Sequence, residues 1–178
     1  MGPPTLRTER LQLVPLADEH LELEIELDAD PEVMRYLTGR AMTRAETEAA
    51  HRRRLAAARD GFGFWAGFAE DGFVGWWLLL PPHGPDQPPV AGEADLGFRL
   101  LRSRWRRGYA AEGARELIRY GFAAVGLDRV FAQTSAGNVA SRATMAAAGM
   151  SFVRAFASGG DGQAEVEYAI TRTAWLGR

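Results

Sequence analysis

The chain has 178 residues, of which 47% are hydrophobic and 25% are charged, and its formal net charge is −2 at pH 7. This composition is typical of one globular domain that buries a core without a disulfide or a metal. Cysteine and lysine are both absent, which excludes thiol nucleophiles, cysteine metal sites, Schiff bases and a phosphate-loop lysine. His20, His51 and His83 lie far apart in the sequence, so we expect surface histidines and no metal site.

The N-terminal residues carry no apolar segment of the kind found in signal peptides, and the longest apolar run, from Phe73 to Leu80, is too short to span a membrane. These features predict a cytoplasmic protein without a membrane partner. The slightly acidic net charge argues against general binding to nucleic acid.

Strand and helix patterns intermix in the first half of the chain. Polar and apolar residues alternate from Arg10 to Val14, which predicts a strand that ends at Pro15. The run from Asp18 to Glu32 holds eight carboxylates and no arginine, and its weak periodicity favours a helix with a solvated acidic face. The sequence from Thr43 to Glu46 has the form of a capping box, which predicts a second helix that continues to Asp60.

The second half begins with strand patterns. Residues 64–68 and 73–80 predict a hairpin, and the proline-rich segment from Pro81 to Gly92 predicts a surface loop. The remaining predicted elements are a strand at 94–101, a helix at 109–124, a strand at 129–134, a helix at 139–148 and a final pair of strands around Gly159–Gly162. This order, which has no linker, predicts a single domain over residues 1–178 with a mixed α/β (α+β) sheet.

A strand passes through an arginine-rich turn into a helix start between Leu100 and Gly113. The amide groups of a first helical turn point outward and carry partial positive charge, which suits an anion. The segment from Arg99 to Arg119 holds seven arginines and two glutamates, so a multiply charged anion is one interpretation. A solvated turn and a nucleic-acid site are the alternatives, although Trp105 alone makes a poor stacking platform.

The segment Trp105-Arg106-Arg107-Gly108-Tyr109-Ala110 resembles the pyrophosphate loop of the GNAT superfamily of acetyl-CoA-dependent N-acetyltransferases, Gln/Arg-x-x-Gly-x-Gly/Ala, except at its first position. Tryptophan at that position is similar to the branch that acetylates N-terminal residues of ribosomal proteins. Three further segments are similar to that branch: residues 6–13, residues 138–141 with Gly149-Met150, and residues 168–171 with Trp175. The resemblance implies a mixed, mostly antiparallel sheet, splayed at two parallel strands and flanked by about four helices.

The resemblance also implies where acetyl-CoA binds. Its pyrophosphate would be held by the backbone amides of Arg106, Arg107, Gly108, Tyr109, Ala110 and Ala111. Its pantetheine arm would pair with the backbone of Phe98 and Leu100 as an added strand does. Asn138 would contact the same arm, and Ser141 would bind the sulfur or protonate the departing thiolate. From the residues alone, the favoured interpretation of Asn138 is a helix N-cap, and the alternative role of Ser141 is a solvent-facing hydroxyl.

Acetyl transfer to an alkyl ammonium requires removal of a proton, because its pKa lies near that of lysine, about 10.4. The resemblance places the candidate bases at Asp95 and Glu93, where relatives often carry a strand acid, with Glu165 and Glu167 on the final strand in reserve. Strand alternation places Asp95 on the same face as Arg99, so neutralisation of Arg99 is the alternative role for Asp95.

The resemblance implies direct attack by the amine, with acetyl-CoA as cosubstrate and no metal. The expected acceptor is a protein or peptide N-terminus, or alternatively a polyamine, amino sugar or aminoglycoside. The acidic run from Asp18 to Glu32 would draw a cationic amine if it borders the acceptor cleft. A non-catalytic acyl-CoA-binding module is the alternative outside the enzymes, and a homodimer is an expected state because similar proteins often dimerise.

Overall fold

The computed structural model describes residues 1–178. Its strands are β1 (Leu6–Arg7), β2 (Gln12–Pro15), β3 (Gly63–Ala69), β4 (Gly72–Leu80), β5 (Glu93–Leu100), β6 (Arg129–Ser135), β7 (Ser151–Ala157) and β8 (Ala164–Thr171). Its α-helices are α1 (Leu21–Asp28), α2 (Arg44–Ala56), α3 (Tyr109–Tyr120), α4 (Val139–Ala147) and α5 (Arg172–Leu176). Short 3-10 turns cover Asp18–His20 and Arg102–Arg104, and a π-helical turn, Gly121–Val125, extends α3.

The strands follow the order β1-β2-β3-β4-β5-β6-β8-β7, mostly antiparallel, with β5 and β6 as the one parallel pair. This confirms the predicted mixed sheet. The chain divides into two compact units, the first made of Met1–Leu78 and Phe98–Gly113, the second of Leu79–Gly97 and Ala114–Arg178. Strands β4 and β5 contribute residues to both.

In the first unit, β2 pairs with β1 on one side and with β3 on the other. Leu13 on β2, Trp65 on β3 and Trp77 on β4 are fully buried and form the core of the unit. The predicted capping box at the start of α2 is confirmed, because the Thr43 hydroxyl accepts the amide of Glu46 and the Glu46 carboxylate accepts the amide of Thr43.

In the second unit, β6 pairs with β8 over all seven of its residues, whereas its parallel pairing with β5 ends at Asp95 and Phe131. From Ala132 onward, β6 therefore keeps a partner on one side only. Since the chain reaches α4 directly after β6, Asn138 and Ser141 follow the end of the strand that loses its parallel neighbour. This is the splay that the resemblance implied.

The structure differs from the sequence expectations in two places. Strand β1 and helix α5 were not predicted, because two and five residues are too few to show a period. The expectation of surface histidines is wrong for His20 and His51, which are buried, and holds for His83, whose side chain is 48% exposed. Both rings can be buried because the Nδ1 atom of each has a polar partner. The Ala17 amide donates to Nδ1 of His20, and Nδ1 of His51 contacts the Glu24 carboxylate.

Candidate active site

The turn before α3 has the backbone shape of an anion cradle. Arg106 has φ 59° and Gly108 has φ 81°, so two left-handed residues lie within three positions directly before the helix. Alternating right- and left-handed residues turn successive amides toward one concave face, and a non-glycine residue held in the left-handed region is found preferentially at ligand clamps. Tyr109 then opens α3, whose first amides extend the same cradle.

Carboxylates elsewhere in the chain neutralise most of the arginine cluster that the sequence shows. Salt bridges join Arg99 to Asp28, Arg102 to Asp30, Arg104 to Asp71 and Arg119 to Glu116. Arg115 donates to the carbonyl of Ala147. The exposed guanidinium groups of Arg106 and Arg107 make no salt bridge and no hydrogen bond, so the unpaired positive charge is concentrated beside Gly108.

One carboxylate, that of Glu112 on α3, fixes the cradle to the start of the chain. It accepts the Thr8 hydroxyl at 2.6 Å, the Arg10 amide at 2.8 Å and the Arg10 guanidinium at 2.7 Å. Burial raises the pKa of Glu112, but these three hydrogen bonds outweigh burial and hold the pKa below its usual range. Arg10 also donates to the carbonyl of Arg107 and stacks on the Tyr109 ring. Thr8 and Arg10 therefore support the cradle from the start of the chain.

Strand β5 leads into the cradle. Its buried residue Leu100 accepts the indole N–H of Trp105 at its carbonyl oxygen, at 3.0 Å, which closes the turn. The amide of Leu101 donates to Val74 on β4, so by alternation the backbone groups of Phe98 and Leu100 point away from β4. The Leu100 carbonyl thus keeps one lone pair for an added strand, and the role implied for Phe98 and Leu100 stays a prediction.

The acidic run forms the expected solvated face with five exposed carboxylates, those of Asp18, Glu19, Glu22, Glu26 and Glu32, but two others turn inward. Glu24 and Asp28, on α1, are fully buried, and they contact Arg54 and His51 of α2 and Arg99 of β5. The Trp76 ring also belongs to this cluster. Its centroid lies 5.1 Å from the guanidinium carbon of Arg54 and 4.8 Å from that of Arg99. Two carboxylates and two guanidinium groups balance, so this cluster offers no free negative charge to an amine.

Asp95 also has a partner other than the one expected. Arg99 lies four residues further along β5, roughly 13 Å away at about 3.3 Å per residue, which is too far for an ion pair. Asp95 is buried and its Oδ2 instead lies 2.8 Å from Nε2 of His83, in the proline-rich loop. The hydrogen bond to Asp95 raises the pKa of His83 above its ordinary value, although burial opposes it.

The other candidate carboxylates of the second unit are largely engaged. Glu93 and Glu167 both bind Arg129, at 3.0 and 2.8 Å. Glu167 is buried and also accepts from Gln133 at 2.9 Å and from Arg154 at 3.2 Å. Burial raises the pKa of Glu167, but these hydrogen bonds outweigh it and lower the pKa overall. The side chain of Glu165 makes no hydrogen bond. Burial, together with the nearby carboxylates of Asp161 and Asp86, raises the pKa of this side chain.

Asn138 is the N-cap of α4. Its Oδ1 accepts the Ser141 amide at 3.2 Å, and its Nδ2 donates to the Thr134 hydroxyl at 3.3 Å. The capping alternative is therefore confirmed for Asn138, which retains one amide hydrogen without a partner. The Ser141 hydroxyl has no hydrogen-bond partner and is partly exposed, so it is available to a ligand. Their contacts with acetyl-CoA stay predictions.

The fold of the chain is found in solved structures of acetyltransferases. Among solved structures, an aminoglycoside-bound AAC(6′)-Ib aligns with a TM-score of 0.82 at 15% identity, covering 94% of this chain and 97% of that one. A ribosomal L7/L12 α-N-protein acetyltransferase, RimL, in complex with coenzyme A, aligns with a TM-score of 0.79 at 16% identity, covering 96% and 99%. At these identities the likeness concerns the fold.

Sequence comparison identifies the family. A family model described as "Acetyltransferase (GNAT) domain" matches residues 10–151. The FsC-acetyl coenzyme A-N(2)-transacetylase of Aspergillus fumigatus is 44% identical over 184 residues, which cover 97% of this chain and 78% of that protein. An uncharacterized N-acetyltransferase of Bacillus subtilis, YoaA, is 28% identical over 145 residues, covering 78% and 77%. The chain therefore belongs to the GNAT family and is an acetyl-CoA-dependent N-acetyltransferase.

Two further observations bear on cofactors and location. No group of three or more His, Asp or Glu side chains is arranged to hold a metal ion. None of the helices has both the length and the apolar character needed to cross a membrane.

Proposed function

We propose that the protein transfers acetyl from acetyl-CoA to a primary amine of a small molecule by direct attack. The observation that carries this acceptor class is the 44% identity, over 97% of the chain, to a relative named as a transacetylase of FsC at N(2). A small amine was the alternative acceptor in the sequence analysis, where a peptide N-terminus came first.

The cradle of residues 106–111 supports the cofactor half of the proposal. It combines amides directed by two left-handed residues with two guanidinium groups that have no internal partner. A pyrophosphate carries at least two negative charges. A hydrogen bond to a charged group contributes about 1.5–3 kcal/mol. Arg106 and Arg107 would supply such bonds, while Gly108 lets the phosphate approach the backbone.

The chemistry requires one proton to leave the acceptor before attack. The neutral amine then forms a C–N bond to the thioester carbonyl carbon, and the C–S bond breaks with its electron pair on sulfur. The sulfur takes up one proton, for which the unpartnered Ser141 hydroxyl is the candidate donor, and the second proton, which the attacking nitrogen loses as the amide forms, restores that hydroxyl. A covalent acyl-enzyme is not part of the scheme, because the chain has no cysteine and Ser141 has no histidine partner.

The first experiment is mass spectrometry of a panel of N-terminal peptides, polyamines, amino sugars and aminoglycosides, incubated with acetyl-CoA and the protein. We expect a mass gain of one acetyl group on small amines and none on peptides. Acetylated peptides with untouched small amines would instead assign the acceptor that resembles the ribosomal branch. If no member is acetylated, the proposed acceptor classes are wrong.

The cofactor cradle is tested separately by calorimetry with acetyl-CoA. Replacing Arg106 and Arg107 by alanine should weaken binding by at least about tenfold. Arg119→Ala is the matched control, because Arg119 is an exposed arginine of α3 whose charge is already neutralised by Glu116. Equal affinity for the double variant and the control would contradict the assignment of the cradle.

A further inference from the structure

We propose that His83, oriented by Asp95, is the group that takes the proton from the acceptor amine. The inference rests on the proposed function, since it names the base for that reaction. Neither the sequence patterns nor the resemblance pointed to His83, which lies in the loop between β4 and β5.

The geometry fixes the tautomer of His83. An ionised carboxylate only accepts hydrogen bonds, so the 2.8 Å contact between Nε2 and Asp95 Oδ2 requires a proton on Nε2. In the neutral imidazole, Nδ1 then carries the free lone pair. Nδ1 has no hydrogen-bond partner in the protein, and the ring is about half exposed, so a substrate amine has access to it. A base whose ring is oriented by a neighbouring carboxylate is an arrangement suited to general-base catalysis.

The loop holds His83 in place rather than leaving it free. The side chain of Gln87 accepts the backbone amides of His83 and Gly84 at 3.0 and 3.1 Å, and it donates to Gln133 on β6 at 3.3 Å. Asp86 accepts the amide of Gly159 with its carboxylate. These contacts cross from the loop to β6 and to the segment after β7, so the ring is positioned from two sides.

The position along the sheet matches the chemistry. Asp95 and Phe131 form the last parallel pair before β5 and β6 separate. An acyl chain that adds to a splayed strand pair ends where the pairing resumes, so the thioester would lie at the level of Asp95. His83 is the group that Asp95 presents at this level.

The charged groups around His83 favour this role over that of a bare carboxylate. Asp95 is the charged group that faces the ring; Asp86, in the same loop, is turned to Gly159. Glu93 and Glu167 are both engaged by the guanidinium group of Arg129. A histidine whose pKa is raised above its ordinary value is a stronger base than a free imidazole.

In the reaction, Nδ1 accepts one proton from the ammonium group, and the ring becomes an imidazolium that the Asp95 carboxylate stabilises. The amine attacks the thioester, and the imidazolium then returns its proton to solvent. Asp95 is a positioning residue in this scheme, because it acts on the substrate through His83 alone.

The test compares kcat/KM against pH for the wild type, His83→Gln and Asp95→Asn, with the polyamine, amino sugar, aminoglycoside or peptide that the panel shows to be acetylated. The kcat/KM of the wild type should rise with pH, and the midpoint of this rising limb should lie above the ordinary pKa of histidine. His83→Gln should lose about 10²–10³-fold in kcat/KM and lose the limb. Asp95→Asn should move the limb to lower pH, because the anion that raises the pKa of His83 is gone. Val90→Ala, an exposed residue of the same loop, is the control and should match the wild type.

Two further readouts separate a catalytic role from a structural one. Added imidazole should restore part of the activity of His83→Ala and none of that of Asp95→Asn. Titration of the His83 ring by NMR, which needs no acceptor, should give a pKa above 6.5 that falls in Asp95→Asn.

A limb that survives in His83→Gln and disappears in Glu165→Gln would overturn the assignment in favour of Glu165. A His83 pKa that does not respond to Asp95→Asn would also overturn it. If the wild type acetylates no panel member, the proposed function fails while the NMR titration still decides the pairing. If it acetylates one and His83→Gln is fully active, the base assignment alone fails.

Discussion

The buried charge cluster of the first unit predicts a large stability effect from a change of one atom. In Asp28→Asn, an amide group replaces a carboxylate that accepts from Arg99 at 2.6 Å, from Thr47 at 3.3 Å and from Arg54 at 3.4 Å. The shape of the side chain is kept, but one buried negative charge is removed and the two guanidinium groups keep only Glu24 as a counterion. The variant therefore isolates the electrostatic contribution.

The expected cost is that of breaking a buried ion pair on one side, about 3–5 kcal/mol in the free energy of unfolding. For a chain of this length, 1 kcal/mol corresponds to roughly 2–4 °C in Tm, so Tm should fall by about 6–20 °C. The double variant Asp28→Asn with Arg99→Met restores neutrality inside the cluster. It should cost less than the two single variants added together, by about 0.5–3 kcal/mol.

Urea unfolding followed by circular dichroism measures these differences, provided that the m-value is unchanged. Glu22→Gln is the matched control, because Glu22 lies on the same helix but pairs with Arg44 in full exposure to solvent, where ion pairs contribute little. If Asp28→Asn and Glu22→Gln unfold at the same urea concentration, or if the double variant is simply additive, the cluster does not act through its charge.

Three further predictions concern single positions. The pKa of Glu46 is lowered to about 2 by its hydrogen bonds to Arg40 and to the cap of α2, so its stabilising effect is present above pH 4.5 and lost as pH falls toward 2; the Tm difference between wild type and Glu46→Gln should narrow over that range. Gly75→Ala should lower stability by about 1–3 kcal/mol, because its Cβ would overlap the carbonyl oxygen of the facing β5 strand and lie 2.7 Å from Leu100 Cα, whereas the Cβ of Gly160→Ala would meet only the Ser158 hydroxyl at an ordinary 3.8 Å, so this variant should match the wild type in thermal unfolding. Gly108→Ala strains a residue at φ 81° and should weaken acetyl-CoA binding by roughly tenfold in calorimetry.

Features with a local signature could be predicted from the sequence. The capping box at Thr43 and the hydrophobic stripe of α3 satisfy local backbone and packing requirements, which a short window contains. The cradle at Gly108 could be found for the same reason, since a glycine between arginines before a helix is a contiguous pattern. Its residues were therefore the part of the candidate site that the sequence located.

Pairing between distant charges could not be predicted. Glu24 and Asp28 are four residues apart and share a helix face, but their partners on α2 and β5 come from up to 71 residues away. The sequence therefore predicts the solvated face that the exposed carboxylates of the run form, but not the neutral cluster that Glu24 and Asp28 form in the interior. Asp95 is a candidate because of its position on the strand. Its partner His83 lies in the proline-rich loop, whose course no periodic pattern describes.

The attachment of the cradle to Thr8 and Arg10 has a practical consequence for handling the protein. The first residues are part of the folded unit: the carbonyl of Pro4 accepts the Trp65 indole at 2.7 Å, and Glu112 holds the turn after β1. Deleting the first ten residues would remove the supports of the anion cradle and expose the Trp65 indole. Proteolytic removal of residues 1–10 should therefore weaken acetyl-CoA binding in calorimetry.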